Sequence, residues 1–376
     1  MRRAVGRACL ACAVCASAAG PASPDTTVTA EAGAEGDTNV QRVETGPSSE
    51  DRIGAGAARV GAKVDHRGKL AAGAYALQLS TLARLVGHSD IRSENVALLA
   101  GDVRWLRPIG DRPVAVGAGI TAADAVSLTS QTGARTFANL GADALLSLRD
   151  GESRALTIAA GARLFRYKPD HDFDWSGPTA SARLDLTLWE PAGGTRSVEL
   201  SATLGVEARS YSSTALASAC PTDAPPSPDC FAGTSLPRRD RHHRAGVEVT
   251  WIGRVIAAAG YQLSVTDSNS FGQSLVRHRV TVSATTDLPW KLYGTALGTL
   301  QIDQYLDGLI VQKDLQHQEF TSLDDENRSS LQLRLARELT DSWSVETRAA
   351  IWRDYGGIMD TAVRRALIYA GVVYSR

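Results

Sequence analysis

The stretch Ser197–Arg209 (Ser-Val-Glu-Leu-Ser-Ala-Thr-Leu-Gly-Val-Glu-Ala-Arg) alternates apolar and polar side chains without a break. Val198, Leu200, Ala202, Leu204, Val206 and Ala208 share one face; Ser197, Glu199, Ser201, Thr203, Gly205, Glu207 and Arg209 share the other. A period of two marks a strand with one apolar and one polar face. Strands of soluble proteins run to roughly five or six residues. One this long fits a tilted crossing of a bilayer, with lipid on one side and a wet interior on the other.

The pattern recurs in Thr27–Glu35, Gly54–Asp65, Ser181–Trp189, Arg254–Thr266, Arg277–Thr285 and Ser330–Glu338, and is blurred by Ala and Gly in Leu70–Leu82. Connectors alternate as well. Short turns fall near residues 66–68, 108–112, 150–152, 191–195, 252–253, 287–289 and 340–341. Longer polar loops fall near 36–53, 84–93, 127–136, 168–176, 212–240, 268–275, 306–328 and 356–362. Short connectors on one rim and long ones on the other predict an all-β, transmembrane antiparallel up-and-down barrel. The spacing gives about 16 strands (14–18), with both termini on the short-turn side. No run approaches the roughly 20 apolar residues of a spanning helix.

The first residues bear on the compartment. Arg2, Arg3 and Arg7 precede the apolar run Ala8–Ala16, and Ala16-Ser17-Ala18 forms an A-x-A cleavage site. That is the layout of a secretory signal peptide, assigned to residues 1–20, with the barrel taking 21–376. Cys9, Cys12 and Cys15 would leave with it, and the remaining Cys220 and Cys230 are expected to pair in an oxidising compartment. With 40 basic and 41 acidic residues, the overall charge points to no nucleic-acid partner.

Trp105, Trp189, Trp251, Trp290, Trp343 and Tyr374 fall beside short turns or at the C-terminus; Trp175, Trp352, Tyr167, Tyr211, Tyr305 and Tyr355 fall beside long loops. Two such groups are expected to form two interfacial girdles. Tyr369-Ala-Gly371-Val-Val-Tyr374 resembles the terminal-strand signature of bacterial outer-membrane proteins, which implies the barrel-assembly machinery as a partner, although Arg376 stands where an aromatic or apolar residue usually closes it. Asp37-Thr38-Asn39-Val40, Tyr261–Ser270 and Asp324–Arg328 resemble loop motifs in the barrel domain of surface lipoprotein assembly modifiers and related tetratricopeptide-associated barrels. The likeness covers most of the chain and is to the barrel alone, without the repeat domain. It implies an outer-membrane location and display of surface lipoproteins, and assigns no functional residue.

On the polar faces, charges of both signs recur. Arg183, Asp185, Glu199, Glu207, Arg209, Arg277, Arg279, Arg334, Glu346 and Arg348 are the candidate lumen-lining charges. They could select solutes, or form cross-strand ion pairs that hold the wall together. Arg277 and Arg279 share a face and are expected to give a mild anion preference. Arg238, Arg239, Arg241 and Arg244, following the cysteine loop, are candidates for gripping lipopolysaccharide phosphates or an anionic solute. Asp170, Asp172 and Asp174 with His171 could hold a cation, but surface loops are commonly acidic and no metal site is assigned. His278 sits in a strand near Asn269 and Ser270, an arrangement that does not indicate a hydrolase triad. The reading is a non-enzymatic channel or exporter without cofactor, or alternatively a barrel that docks a partner through residues 212–240. Lipid, lipopolysaccharide and the assembly machinery are its partners; oligomeric state is open.

Overall fold

The computed structural model describes residues 25–41, 52–129, 135–151, 153–192, 194–221, 230–308, 328–353 and 364–376. Residues 1–20, the expected signal peptide, and Tyr355 lie outside them. Sixteen strands follow in order: β1 (Asp25–Asp37), β2 (Ala55–Leu70), β3 (Gly73–Val86), β4 (Val96–Pro108), β5 (Val114–Ser127), β6 (Phe137–Asp150), β7 (Arg154–Tyr167), β8 (Trp175–Trp189), β9 (Ser197–Ser218), β10 (Phe231–Ile252), β11 (Val255–Ser268), β12 (Leu275–Leu288), β13 (Leu292–Tyr305), β14 (Ser329–Glu338), β15 (Trp343–Arg353) and β16 (Arg364–Ser375). Each pairs antiparallel with its neighbour, and β16 returns to β1 with Glu31 opposite Val373, Gly33 opposite Gly371 and Glu35 opposite Tyr369. Closure leaves no open edge, so backbone groups are satisfied where water is excluded.

Alternation decides which side chain meets which environment. Outward Val60, Leu204 and Ile368 are 54%, 64% and 65% exposed, as befits residues solvated by lipid rather than protein. Their sequence neighbours Arg59 and Tyr369 are buried on the inner wall. Among the described residues there is no central core. Small apolar clusters instead line the inner wall at the long-loop end, one of Val96, Leu98, Ala125 and Phe137, another of Ala350, Trp352, Leu367 and Tyr369.

The short turns, the start of β1 and the C-terminal Arg376 share one rim, where the Val28 N–H donates to the Arg376 carbonyl at 2.8 Å. Two turns move from their expected places. β2 runs on to Leu70, so its turn is Ala71-Ala72, not residues 66–68. β12 runs to Leu288, and the turn is Pro289-Trp290-Lys291.

The expected loop 212–240 is largely strand: β9 and β10 are 22 residues each, leaving a connector of 219–230. Polar strand residues in a row read as a loop because the hairpin extends past the wall, where no lipid enforces alternation.

Aromatic residues divide in an unexpected way. At the short-turn rim the outward rings behave as expected: Trp189 and Trp251 stack at 5.8 Å, and Trp343 packs on Tyr374 at 5.2 Å. At the long-loop rim no second outward girdle forms from the expected residues among those described. Tyr167, Trp175, Tyr211, Tyr305 and Trp352 occupy inward register positions, opposite Phe137, Phe165, Trp175, Leu275 and Ser330. Proximity to a loop was the only signal used for them, and it does not distinguish the two faces.

Candidate functional site

Charged side chains recur along the inner wall, with Arg163 on Asp143 at 2.8 Å between β6 and β7, and three groups hold the candidate residues. The largest straddles the seam where the first and last strands meet. From β14 to β3, carboxylates and guanidinium groups alternate: Arg334 and Arg348 both bind Glu346, and Arg348 also reaches Glu31 at 2.7 Å. Glu31 takes Arg59 at 2.9 Å, and Arg84 joins Glu35 and then Asp37, the latter at 2.5 Å. Arg365 closes the row on Asp37 at 2.6 Å. Asp37 and Glu346 have fully buried side chains. A buried carboxylate is tolerable only with such charge-assisted partners. Tyr369 lies in the middle, with the Arg348 guanidinium 4.8 Å and that of Arg59 5.7 Å from its ring centre. Its ring crosses two glycines; a Cβ on Gly33 would come 2.6 Å from Tyr369 Cε2, and one on Gly371 2.6 Å from its Cζ. Glycine at both positions lets the ring lie flat on the wall.

A second group spans β8 to β11. Arg183 binds Asp185 at 2.9 Å, Arg209 binds Glu207, and Glu199 receives a weak 3.4 Å bond from the Ser197 hydroxyl. Arg209 stacks 4.2 Å from the Trp175 ring centre, and Arg238 4.1 Å from that of Tyr211. Arg238 also binds Asp240 at 2.7 Å, and Asp240 accepts from the Ser268 hydroxyl at 2.6 Å.

The third group lies on β10 to β13. Arg277 makes a two-point bond to Asp303 at 2.8 and 2.7 Å. One rung below, Arg279 sits between Gln262 of β11 and Gln301 of β13. It has no carboxylate partner among the described residues.

All ten candidate lumen charges occupy inward positions. Nine of them have a bonded partner given above, the exception being Arg279. Glu31, Glu35, Asp37, Arg84 and Arg365 were not among the candidates. Arg84 lies next to the blurred Leu70–Leu82 segment. Arg365 faces inward, while its neighbour Arg364 faces outward opposite Arg353. The four candidate anion-binding arginines do not form one patch. Because β10 passes through them, Arg238 and Arg244 point inward, opposite Ser264 in the case of Arg244, and Arg239 and Arg241 point outward.

The acidic connector between β7 and β8 is engaged by protein. Asp174 is buried, accepting from Arg166 at 2.8 Å, the Tyr167 N–H at 2.7 Å and His171 at 3.0 Å. Burial pushes its pKa up, but these bonds outweigh it and hold the carboxyl below the usual aspartate value. Asp170 accepts from the Asp172 N–H. His278 faces outward and bonds the Tyr261 hydroxyl at 2.8 Å, while the Ser270 hydroxyl accepts from the Leu216 N–H at 2.9 Å. Each is thus engaged elsewhere. A groove of about 470 Å³ on β12 to β16 is lined by Ala284, Gly294, Ala296, Leu333 and Ile368, on the lipid-facing side.

Cys220 and Cys230 are disulfide-bonded, with Cα atoms 5.0 Å apart. The hairpin they close rests on the β11–β12 connector, where the Phe271 N–H donates to the Leu216 carbonyl at 2.9 Å.

No family model matches the chain, and no curated protein matches it in sequence. Solved structures do. The outer-membrane channel DcaP of Acinetobacter baumannii superposes with a TM-score of 0.52 at 10% identity, over 94% of this chain and 97% of that one. The fold is that of an outer-membrane β-barrel. OmpT, an outer membrane protein of Vibrio cholerae, gives a TM-score of 0.42 at 10% identity, over 94% and 97%. A mutant Rh. blastica porin gives 0.39 at 6% identity, over 94% and 100%.

Proposed function

We propose that this protein is a porin-like, non-enzymatic channel that lets small polar solutes cross the outer membrane, with a mild preference for anions. Long loops face outward and both termini face the periplasm. A barrel of about 16 strands is wide enough for an aqueous bore. Paired charges on its inner wall support a wet interior while contributing little net field. Arg279 carries the proposal: it is an inward guanidinium flanked by two amides, positioned to meet a solute carboxylate or phosphate rather than a wall carboxylate. The DcaP fold likeness agrees with a channel role. The terminal strand Tyr369–Tyr374 supports insertion by the barrel-assembly machinery.

The test is single-channel recording of the refolded protein in planar bilayers under a salt gradient. A steady open conductance with an anion-directed reversal potential, moved towards zero by Arg279→Gln, is the expected result. No conductance from inserted protein would overturn the reading. One observation favours a second reading: the β9–β10 hairpin extends past its neighbours and is fixed by a disulfide and by Ser270. A closed barrel whose hairpin retains a protein partner, such as a surface lipoprotein, would support docking instead.

A further inference from the structure

Along β10 the two faces carry different chemistry. The inward residues are engaged, Arg238 with Asp240 and His242 with the Thr266 hydroxyl at 3.0 Å. The three outward positions between them, Arg239, Arg241 and His243, are all exposed. None of their side chains makes an ion pair among the described residues. Further down the same outward face come Ala245, Val247, Val249 and Trp251, the last three about two-fifths exposed and apolar. The strand therefore changes from cationic to apolar at one level of the outer wall.

That level can be placed. Trp251 belongs to the aromatic rim at the short-turn end, and Arg241 stands ten residues along β10 from it. At roughly 3.3 Å per residue and a tilt of about 40°, that is about 25 Å along the barrel axis, the height of the apolar band of such barrels. Arg239 and Arg241 consequently stand at the headgroup level of the leaflet at the long-loop end, with His243 just below. Their environment is open. β9 offers Ala208 and Ser210 on one side; β11 offers Asp267, opposite Arg241, and Val265, opposite His243. One carboxylate faces three nitrogen-bearing side chains. Asn269 is occupied by the backbone, accepting from the Arg239 N–H at 2.8 Å and donating to the Pro237 carbonyl.

We infer that Arg239, Arg241 and His243 form a binding site for the phosphate groups of lipopolysaccharide, whose acyl chains lie along Ala245, Val247 and Val249. Two arginines two residues apart on one strand face have Cα atoms about 7 Å apart, a spacing that lets each fork reach its own phosphate oxygen pair. Arginine suits this role because its weak hydration lowers the cost of sitting at a headgroup boundary. The site rests on the reading that the long loops face outward, and it does not depend on the bore being open.

Binding of full-length refolded protein in detergent, without divalent cations, tests it by native mass spectrometry. The wild-type protein is titrated with lipopolysaccharide and with enzymatically dephosphorylated lipopolysaccharide. The expected result is about tenfold weaker binding of the dephosphorylated lipid. A similar loss is expected for phosphorylated lipid on the Arg239→Gln/Arg241→Gln/His243→Gln variant. Arg107→Gln/Arg337→Gln, which removes outward arginines at the short-turn end, should bind as the wild type does. Equal affinity of the wild type for both lipids would overturn the proposal even if the triple variant failed to fold. So would undiminished binding by a folded triple variant, or an equal loss in the control variant. Loss of channel conductance with phosphate-dependent binding intact would sink the channel reading alone.

Discussion

Arg348 of β15 and Glu31 of β1 are bonded at 2.7 Å across the intervening strand β16, joining residues 317 apart in the chain. The bond bridges the seam, where closure brings together the two most distant parts of the sequence. Neighbouring strands at this point are already held by their backbone ladder, so the side-chain bridge adds a second tie that spans two strand spacings. Both groups keep some exposure, with side chains 27% and 17% accessible. Solvent therefore offsets part of their mutual attraction.

Each keeps a second partner, Arg348 on Glu346 and Glu31 on Arg59, so removing one leaves the other only partly compensated on the wall. Glu31→Gln and Arg348→Met should each destabilise the barrel by about 1–3 kcal/mol. The double variant should cost less than the sum of the two, because the shared bridge is lost only once. The urea midpoint of refolded protein in vesicles, followed by the gel-mobility shift of the unheated band, measures all three. Strict additivity would show that the bridge contributes nothing to closure.

Asp303 neutralises Arg277 on the rung next to Arg279. Asp303→Asn should leave Arg277 in place but free its charge, so two cationic rungs would face the bore. The anion-to-cation permeability ratio should rise by about twofold, read as a shift of the reversal potential in a salt gradient. An unchanged reversal potential would mean that ions do not pass this part of the wall.

The β9–β10 hairpin has two restraints that can be removed separately: the Cys220–Cys230 bond and the Ser270 hydroxyl on Leu216. Cys220→Ser/Cys230→Ser should expose the hairpin to protease without altering the heat-modifiable mobility of the barrel, since the strand ladder below Tyr211 is independent of it. Adding Ser270→Ala should raise the cleavage rate further, by about threefold to tenfold, as expected for one lost hydrogen bond. Loss of barrel mobility would show that hairpin and wall fold as one unit.

Where lipid enforces alternation, the strands were legible. Ser197–Arg209 reads correctly as one wall segment because its outward residues must be apolar and its inward ones need not be. At the headgroup edge and beyond it that constraint ends. Arg238–Arg244 has charges on both faces, so a 22-residue strand read as a loop. The interior was legible as a set of polar positions but not as a network. Which carboxylate meets which guanidinium depends on register between strands as distant as β1 and β15. Asp37 and Arg365, the most deeply buried pair, follow from closure alone.

Asp174 makes the β7–β8 connector sensitive to acid. Its carboxyl is held below the ordinary aspartate value of 3.8 by Arg166, the Tyr167 N–H and His171, against the opposing effect of burial. A lowered folded-state pKa means that the stabilisation is fully present above the unfolded value. It is lost as pH falls through the folded one. Amide exchange in residues 167–175 should therefore quicken at pH values below about 4 while the wall remains protected. Asp174→Asn should show the faster exchange already at neutral pH, with no further change on acidification. A wild-type connector that stays protected in acid would rule out this carboxylate as its organiser.

One turn of the short-turn rim is built from residues ill suited to it. Trp290 and Lys291 both have positive φ, 63° and 58°, between Pro289 and Leu292, whose N–H donates to the Pro289 carbonyl at 3.3 Å. Two left-handed residues in succession define the hairpin turn that Asn-Gly adopts without strain. Trp290→Asn/Lys291→Gly should therefore relieve about 1–2 kcal/mol and raise the unfolding midpoint in detergent. Trp290 is also 80% exposed at the rim that carries Trp251 and Trp343, a place where an indole anchors to the headgroup region. In vesicles the two effects oppose each other: the relieved turn stabilises, and the lost indole loosens the anchor. A gain in detergent that shrinks in vesicles would show that the strained turn is kept to hold Trp290 at the interface. A gain of equal size in both would show that the tryptophan contributes only strain.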